Sequence, residues 1–273
     1  MAATAPDAPA AALAQRAAEE GADRVVAIGG DGTIAEVAQG LLDGDRVVPL
    51  AIVPQGTANV LALNLGVPRV LSKAVDTAAG GIPTPIDVGQ VGGRTFLISV
   101  GTGLHAEMVA RAGRELKRRW GVAAYGMAGW GAQRAGRPVR YHIVCDGENE
   151  TLEATMIQVM NCGSIFRRKW ELGPGISPVD GVLDILAYRA ATLPQYAAAA
   201  AHVVRGAPTG TNLVAHRRGR RVRIESDPPV RVQLDGEPAG TTPVEIEILP
   251  RALPVVMPAG GPWTREAEER QAP

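Results

Sequence analysis

The sequence predicts an α/β domain with a parallel sheet, followed by a β-sandwich domain. Two units, each with an apolar strand, a glycine-containing loop and a helix, follow one another within residues 25–65, and such repeats build parallel sheets. After residue 85 the chain changes to short strand-like runs separated by turns, which are typical of a sandwich or barrel. We therefore predict an α/β domain over residues 1–84, a β-sandwich over 85–250, and a segment, 251–273, whose polar end is disordered.

The first unit follows an alanine-rich helix pattern at residues 8–20 and begins with an apolar run at 25–28. A short continuous apolar run predicts a parallel strand that is buried on both faces. The first loop, G-G-D-G-T at residues 29–33, comes next, and apolar residues then recur at helical spacing over 34–42. Such a loop offers backbone N–H groups and the positive end of a helix dipole to an anion, although glycines also mark plain tight turns.

The second unit repeats this order. An apolar run at 47–53 leads into the second loop, P-Q-G-T-A-N at residues 54–59, and then into a helix over 60–65. Thr57 or Asn59 alone would be interpreted as a helix cap. Two such loops at the ends of neighbouring parallel strands favour a phosphate site instead. An acid there, Asp31, would repel phosphate unless a cation such as Mg²⁺ lies between them.

The second half contains seven strand-like runs, at 95–100, 140–145, 155–160, 182–187, 222–225, 230–234 and 244–249. Two helical stretches, 114–134 and 193–205, interrupt them. The sequence Asp235-Gly236-Glu237 favours a hairpin turn between the runs at 230–234 and 244–249, because Asp-Gly is a common turn pair. From the residues alone this tripeptide is structural.

Composition excludes several classes of function. The 28 basic and 28 acidic residues cancel, so whole-molecule attraction to nucleic acid is not indicated. The two cysteines have neither metal-site nor disulfide-framework spacing, which indicates a reducing cytoplasm. No apolar run approaches the roughly 20 residues of a membrane span, and the start lacks a signal-peptide pattern.

Five stretches in order, G-G-D-G-T, P-Q-G-T-A-N, I-D-V-G-Q-V-G-G-R-T-F, D-G-V-L-D-I and V-Q-L-D-G-E-P, resemble the diacylglycerol kinase and sphingosine kinase-like lipid kinases. The resemblance covers about residues 4–256. It implies a nucleotide-binding α/β domain like those of 6-phosphofructokinase and NAD kinase, a β-sandwich domain, ATP as phosphate donor, Mg²⁺, and a lipid substrate at the inner face of the membrane. A homodimer is also compatible with it.

The resemblance also implies site residues. Asp31 would act through Mg²⁺ or orient the attacking hydroxyl, Glu237 would be the general base, and Asp235 would assist beside it. Asp180 would hold a structural Mg²⁺ together with main-chain oxygens of Ser177 and Val182. The nucleotide phosphates would be bound, together with Asp31, by Gly29, Gly30, Gly32, Thr33, Gly56, Thr57 and Asn59.

Two departures from the family pattern matter. His105 stands in Gly103-Leu104-His105-Ala106 where the family carries an acid. The resemblance also implies an opening strand and loop of the nucleotide domain ahead of residue 4, which we expect the given sequence to lack. Two rival functions therefore stay open: a kinase of a soluble substrate, such as a nicotinamide nucleotide, and a non-catalytic lipid- or nucleotide-binding relic.

Overall fold

The computed structural model describes the chain except residues 1, 6–7, 113–136, 166, 191, 193, 196–197, 199–200, 203–211 and 270–273. The chain forms two compact units. The first contains Met1–Val88, Ser177–Gly181 and Leu249–Pro273, and the second contains Gly89–Ile176 and Val182–Ile248. The predicted helices at 114–134 and 193–205 fall largely outside the described residues.

The first unit is an α/β layer, as predicted. Its helices are α1 (Ala10–Glu19), α2 (Asp31–Asp43), α3 (Val60–Leu65) and α4 (Leu71–Gly80). Strand β1 (Val25–Gly29) pairs in parallel with β2 (Leu50–Pro54). The end of the last strand of the chain, at Val255 and Val256, pairs in parallel with the other side of β2. The carboxyl ends of β1 and β2 therefore lie side by side, with a loop after each.

Strand β1 is less buried than its apolar sequence predicts. Val26 and Ile28 are 46% and 51% exposed, whereas every residue of β2 is buried. Within the described residues, β1 has only β2 as a neighbouring strand, so it lies at the end of the strand order. The prediction of burial on both faces is wrong for β1 for this reason.

The C-terminal segment is ordered over most of its length. A helix, α6, covers Pro262–Glu269, so the expected disorder is wrong for these residues. The indole N–H of Trp263 donates to the carbonyl of Asn64 at 2.6 Å, and Thr264 is buried. These contacts fix the helix, and its polar composition reflects a face left to solvent.

The second unit is a β-sandwich with one helix, α5 (Leu104–Ala112). The strands from β3 on are β3 (Ile82–Val91), β4 (Arg94–Phe96), β5 (Ser99–Thr102), β6 (Val139–Cys145), β7 (Glu148–Ala154), β8 (Met156–Met160), β9 (Ser164–Ile165), β10 (Arg167–Glu171), β11 (Leu183–Tyr188), β12 (Val214–Gly219), β13 (Arg221–Asp227), β14 (Arg231–Leu234), β15 (Glu237–Thr241) and β16 (Val244–Met257). In one sheet, the first part of β16 pairs antiparallel with β13, β13 with β6, and β6 with β7. The other sheet has the order β12-β11-β8-β5-β14-β15.

The core of the second unit lies between these two sheets. Fully buried Tyr141 and Ile224 come from one sheet, and Val100, Ile157 and Leu183 come from the other. Strands β3 and β16 have residues in both units. Strand β13 alternates exposed and buried side chains over its first four residues, which is the period-two pattern of a half-buried strand.

Candidate functional site

The first and second loops contact each other through glycine backbone. A Cβ added to Gly56 would lie 2.5 Å from the Cα of Gly30, and a Cβ on Gly30 would lie 3.1 Å from the Cα of Gly56. The backbone N–H of Gln55 donates to the carbonyl of Gly29 at 2.8 Å. The absence of side chains at Gly30 and Gly56 therefore lets the two loops form one continuous backbone surface.

Asn59 fixes the shape of the second loop. Its side-chain oxygen accepts from the Gly56 N–H at 2.8 Å, and its amide nitrogen donates to the Gly56 carbonyl at 2.8 Å. Asn59 is 3% exposed and has a φ of 51°, a left-handed conformation that asparagine tolerates better than most residues. Although it precedes α3, its side chain makes no capping bond to that helix. Asn59 shapes the loop rather than capping the helix.

The cap of α3 comes from the first loop instead. Asp31 Oδ1 accepts from the backbone N–H of Leu61 at 3.0 Å. Leu61 is in the first turn of α3, where backbone N–H groups have no partner inside the helix. Asp31 itself begins α2. One carboxylate therefore links the starts of two helices, and its second oxygen is oriented by this contact.

Gly32 marks the open side of the first loop. Among the described residues, no atom beyond its immediate helix neighbours lies within 4 Å of the place that a Cβ would occupy, and its φ is not in the left-handed region. Neither packing nor backbone strain requires glycine there. The N–H groups in the first turn of α2 point to the same end of the helix, and Thr57 of the second loop is exposed. The first loop therefore has open space and N–H donors at the same place, as an anion requires. Gly29 differs from Gly32, because a Cβ at Gly29 would meet the side chain of Thr33.

The D-G-E turn, residues 235–237, connects β14 to β15. Asp235 and Gly236 have φ values of 46° and 86°, which fit a two-residue hairpin turn with positive φ at both central positions. The sequence predicts that this turn joins the run at 230–234 to the run at 244–249, which is part of β16. That prediction is wrong for the second strand, because the five-residue strand β15 lies between them and pairs with β14.

The two acids of this turn differ in their surroundings. The carboxylate of Asp235 accepts three backbone N–H groups, from Leu97 at 2.7 Å and from Ile98 and Ser99 at 2.9 Å. These contacts give Asp235 a structural role, to hold the turn against the chain between β4 and β5. Glu237 is the first residue of β15, opposite Leu234, and is half-buried. Glu237 stays the residue that the sequence analysis predicts as the general base.

The residues predicted to hold a structural metal lie around a buried acid that the sequence reasoning did not single out. Asp87 is fully buried, and its oxygens accept the N–H groups of Gly181 at 2.6 Å and Arg251 at 2.8 Å. Its own N–H donates to the carbonyl of Pro178 at 2.7 Å. Asp87 therefore holds the loop 177–181, which carries Asp180. Its place in the motif I-D-V-G is the sequence signal that could have found it.

The candidate metal ligands predicted at Asp180, Ser177 and Val182 are all oxygen atoms. The hydroxyl of Ser177 donates to Glu266 at 3.1 Å, which leaves its main-chain oxygen as the candidate ligand; Val182 belongs to the second unit. No group of three His, Cys, Asp or Glu side chains that could hold a metal occurs among the described residues. One carboxylate with carbonyl oxygens is a donor set that suits Mg²⁺ completed by water.

Other nucleophiles are unsuited to catalysis. Cys145 and Cys162 are buried, and burial, with Asp146 close by, raises the pKa of the Cys145 thiol although Arg217 opposes this. Burial likewise raises the pKa of the Tyr141 and Tyr188 hydroxyls. A thiol or phenol that stays protonated is a poor nucleophile, so these groups are structural.

Comparison with known proteins agrees with this arrangement. The family model for the diacylglycerol kinase catalytic domain matches residues 1–91. The model for the YegS C-terminal NAD kinase beta sandwich-like domain matches residues 98–257. The second of these alone covers more than half of the chain.

Relatives extend over most of the chain. A diacylglycerol kinase of Bacillus subtilis (strain 168) is 34% identical over 90% of this chain and 82% of its own length. An uncharacterized protein of Synechocystis sp. is 35% identical over 88% of this chain, which spans 56% of that relative. A solved structure from Bacillus anthracis str. Sterne, assigned as a candidate diacylglycerol kinase, is 25% identical with a TM-score of 0.79 and covers 94% of this chain and 83% of its own. The chain therefore belongs to the diacylglycerol kinase and YegS-like lipid kinase family, whose members are phosphotransferases with an alcohol acceptor.

Proposed function

We propose that the chain is an ATP- and Mg²⁺-dependent lipid kinase that phosphorylates a hydroxyl of diacylglycerol or a similar lipid. The observation that carries the proposal is the open space at Gly32, beside the joined first and second loops and at the start of α2. Open space beside the N–H donors of a helix start, at a glycine that packing of the described residues does not require, supports a site for a triphosphate. The choice of a lipid as the substrate comes from the names of the relatives.

Each residue of the two loops has a task in this reaction. The N–H groups in the first turn of α2 bind phosphate oxygens, with the hydroxyls of Thr33 and Thr57 as further donors. Gly30 and Gly56 keep the surface free of side chains. When bound, Mg²⁺ neutralises charge on the phosphates, and Asp31 is the acid that would hold it, because Leu61 orients its carboxylate.

The second unit supplies the base. Glu237 Oε accepts the proton of the lipid hydroxyl, and the resulting oxygen bonds to the terminal phosphorus of ATP while the bond from that phosphorus to the bridging oxygen breaks and ADP leaves. Asp235 keeps the turn in place through its three N–H contacts. Asp180, held by the contacts of Asp87, would bind the second, structural Mg²⁺.

We further propose that the lipid is met at the inner face of the membrane and that the protein works from the cytoplasm, without nucleic acid. No helix in the described part of the chain is long and apolar enough to cross a membrane. A homodimer is compatible with the proposed function.

The test is a transfer assay with γ-labelled ATP and a panel of acceptors. Diacylglycerol and sphingosine are presented in vesicles, and NAD and fructose 6-phosphate in solution, each with and without Mg²⁺. Label in the lipid fraction that depends on Mg²⁺ and is absent with Glu237→Gln supports the proposal. Label only in a soluble acceptor would assign the chain to the soluble-substrate kinases, and no label anywhere, with intact fold, would make it a binding protein.

A further inference from the structure

The position of Glu237 depends on a buried side chain that does not itself meet substrate. Gln233, on β14, is 1% exposed, and its amide oxygen accepts from the backbone N–H of Gly236 at 2.5 Å. Gly236 precedes Glu237 in the D-G-E turn. This hydrogen bond therefore sets the backbone from which the Glu237 side chain departs.

The same amide contacts His105 with its other end. Gln233 Nε2 lies 3.3 Å from Nδ1 of His105, which is on α5. A backbone N–H can only donate, so the atom facing Gly236 must be the amide oxygen, and the NH₂ group must face His105. An NH₂ group is a donor only. Nδ1 of His105 must therefore be an acceptor, which requires a neutral imidazole with its proton on Nε2.

Gly101 makes room for this pair. It lies opposite Gln233 in the β5–β14 register. A Cβ at Gly101 would come within 2.2 Å of His105 Nδ1 and 2.7 Å of Gln233 Nε2. Any side chain at 101 would separate the two groups, so the contact is built into the sheet.

We propose that His105 is a positioning residue that acts through Gln233 on the D-G-E turn and supports turnover only while its ring is neutral. A protonated ring would place an N–H against the NH₂ of Gln233. Turning the amide over would relieve that conflict but would place NH₂ against the Gly236 N–H. One of the two contacts is lost either way, and Glu237 loses its place. The inference rests on the proposed role of Glu237.

Two charged side chains, Arg231 and Glu237, lie on the strands that pack against the helix of His105. Among the described residues, α5 packs against β5, β14 and β15. Strand β5 has no ionisable side chain, β14 contributes Arg231, and β15 contributes Glu237. Arg231 is paired with Glu107 of α5 at 2.9 Å. As the pH falls, His105 gains its proton, so activity should be present at higher pH and be lost on the acid side.

Two substitutions test this from the two sides of the contact. His105→Asn offers an amide oxygen near the place of Nδ1 and does not titrate, so kcat at neutral pH should stay within about 3-fold of wild type while the acid limb moves to lower pH. Gln233→Glu keeps an acceptor for Gly236 and presents a carboxylate to His105. A carboxylate accepts both from a neutral ring with its proton on Nδ1 and from a protonated ring, so kcat at neutral pH should stay within about 3-fold of wild type and the acid limb should again move to lower pH.

The assay uses the whole 273-residue chain with dioleoylglycerol in mixed micelles, saturating ATP–Mg²⁺ and a pH series, and thermal unfolding checks each variant. KM for ATP should not change in either variant. Acid limbs that superimpose on that of wild type in both variants would overturn the inference, since a merely structural pair would lower activity without moving the profile. Glu237→Gln is assayed alongside these variants. If it is inactive while the acid limbs of the other two variants do not move, the proposed function stands and the inference about His105 fails. If it is fully active, both the proposed function and the inference fail.

Discussion

Gly32 separates ligand binding from folding at the scale of one residue. Because no atom of the described residues packs where its Cβ would be, we expect Gly32→Ala to keep the unfolding temperature of wild type or raise it slightly, since alanine favours helix. Its affinity for ATP–Mg²⁺ in calorimetric titration should drop by about 10-fold, or about 1.4 kcal/mol, because the methyl group occupies the phosphate space.

Gly80 provides the matched control for this prediction. It is also a helical glycine of the first unit with no described atom within 4 Å of its Cβ position, but it lies at the end of α4. Gly80→Ala should leave ATP affinity unchanged. Equal affinities for both alanine variants would show that the space at Gly32 is not a phosphate site.

Substitution of the two acids of the D-G-E turn should likewise separate an effect on stability from an effect on activity. Asp235→Asn leaves an NH₂ group against backbone N–H donors that the carboxylate now accepts. We expect its free energy of unfolding, measured with urea, to fall by about 1–3 kcal/mol. Glu237→Gln should unfold like wild type and lose about 10²- to 10⁴-fold in kcat. The reverse pattern would exchange the roles of the two residues.

At the scale of elements, Asp31 gives the start of α3 a partner from another helix. Asp31→Asn retains an oxygen for the Leu61 N–H, so its stability should match that of wild type, whereas Asp31→Ala should lose about 1 kcal/mol, the usual cost of a missing cap. Both variants should lose the response of turnover to Mg²⁺ concentration. If Asp31→Asn responded to Mg²⁺ like wild type, the acid would serve only as a cap.

The elements show where sequence reasoning succeeds and where it stops. The helix predicted at 60–65 is α3, and both parallel strands are present, because apolar runs and glycine loops are local signals. Asp31 as the cap of α3, and Gln233 as the contact of His105, join residues far apart in the chain, so no local pattern announces them. Strand β15 was missed because Glu237–Thr241 contains proline and glycine and alternates poorly.

Strand β1 shows a second limit. Its composition is that of a buried strand, yet burial depends on how many neighbours a strand has, and β1 has one neighbouring strand within the described residues.

The residues predicted to bind the structural metal show a third limit of sequence reasoning. Asp180 was chosen by resemblance, whereas the buried Asp87 was not, although it stands in the motif I-D-V-G. Its contacts with Gly181 and Arg251 join residues far apart in the chain, so its role in orienting the same loop is not a local signal.

For the whole molecule, zero formal net charge predicts how it meets a membrane. With 28 basic and 28 acidic residues, and several arginines paired, such as Arg217 with Glu150 at 2.6 Å, long-range attraction to anionic lipid should be weak. We expect sedimentation with phosphatidylglycerol vesicles to change by less than about 3-fold between 0.05 and 0.5 M salt, a range over which the Debye length shortens severalfold. Neutral vesicles provide the control; strong binding that salt abolishes would show that local arginine clusters dominate.

The contact between Gly30 and Gly56 has a consequence for how the nucleotide preference of this protein can be altered. With the backbone of one loop resting on that of the other, neither loop can be exchanged alone for one that carries a side chain at the contact. Chimeras that graft a single loop from another kinase should fail to fold or to bind, whereas grafting both together should succeed. The two loops must therefore be engineered together as one part, although 20 residues of helix and strand, 34–53, separate them in the chain.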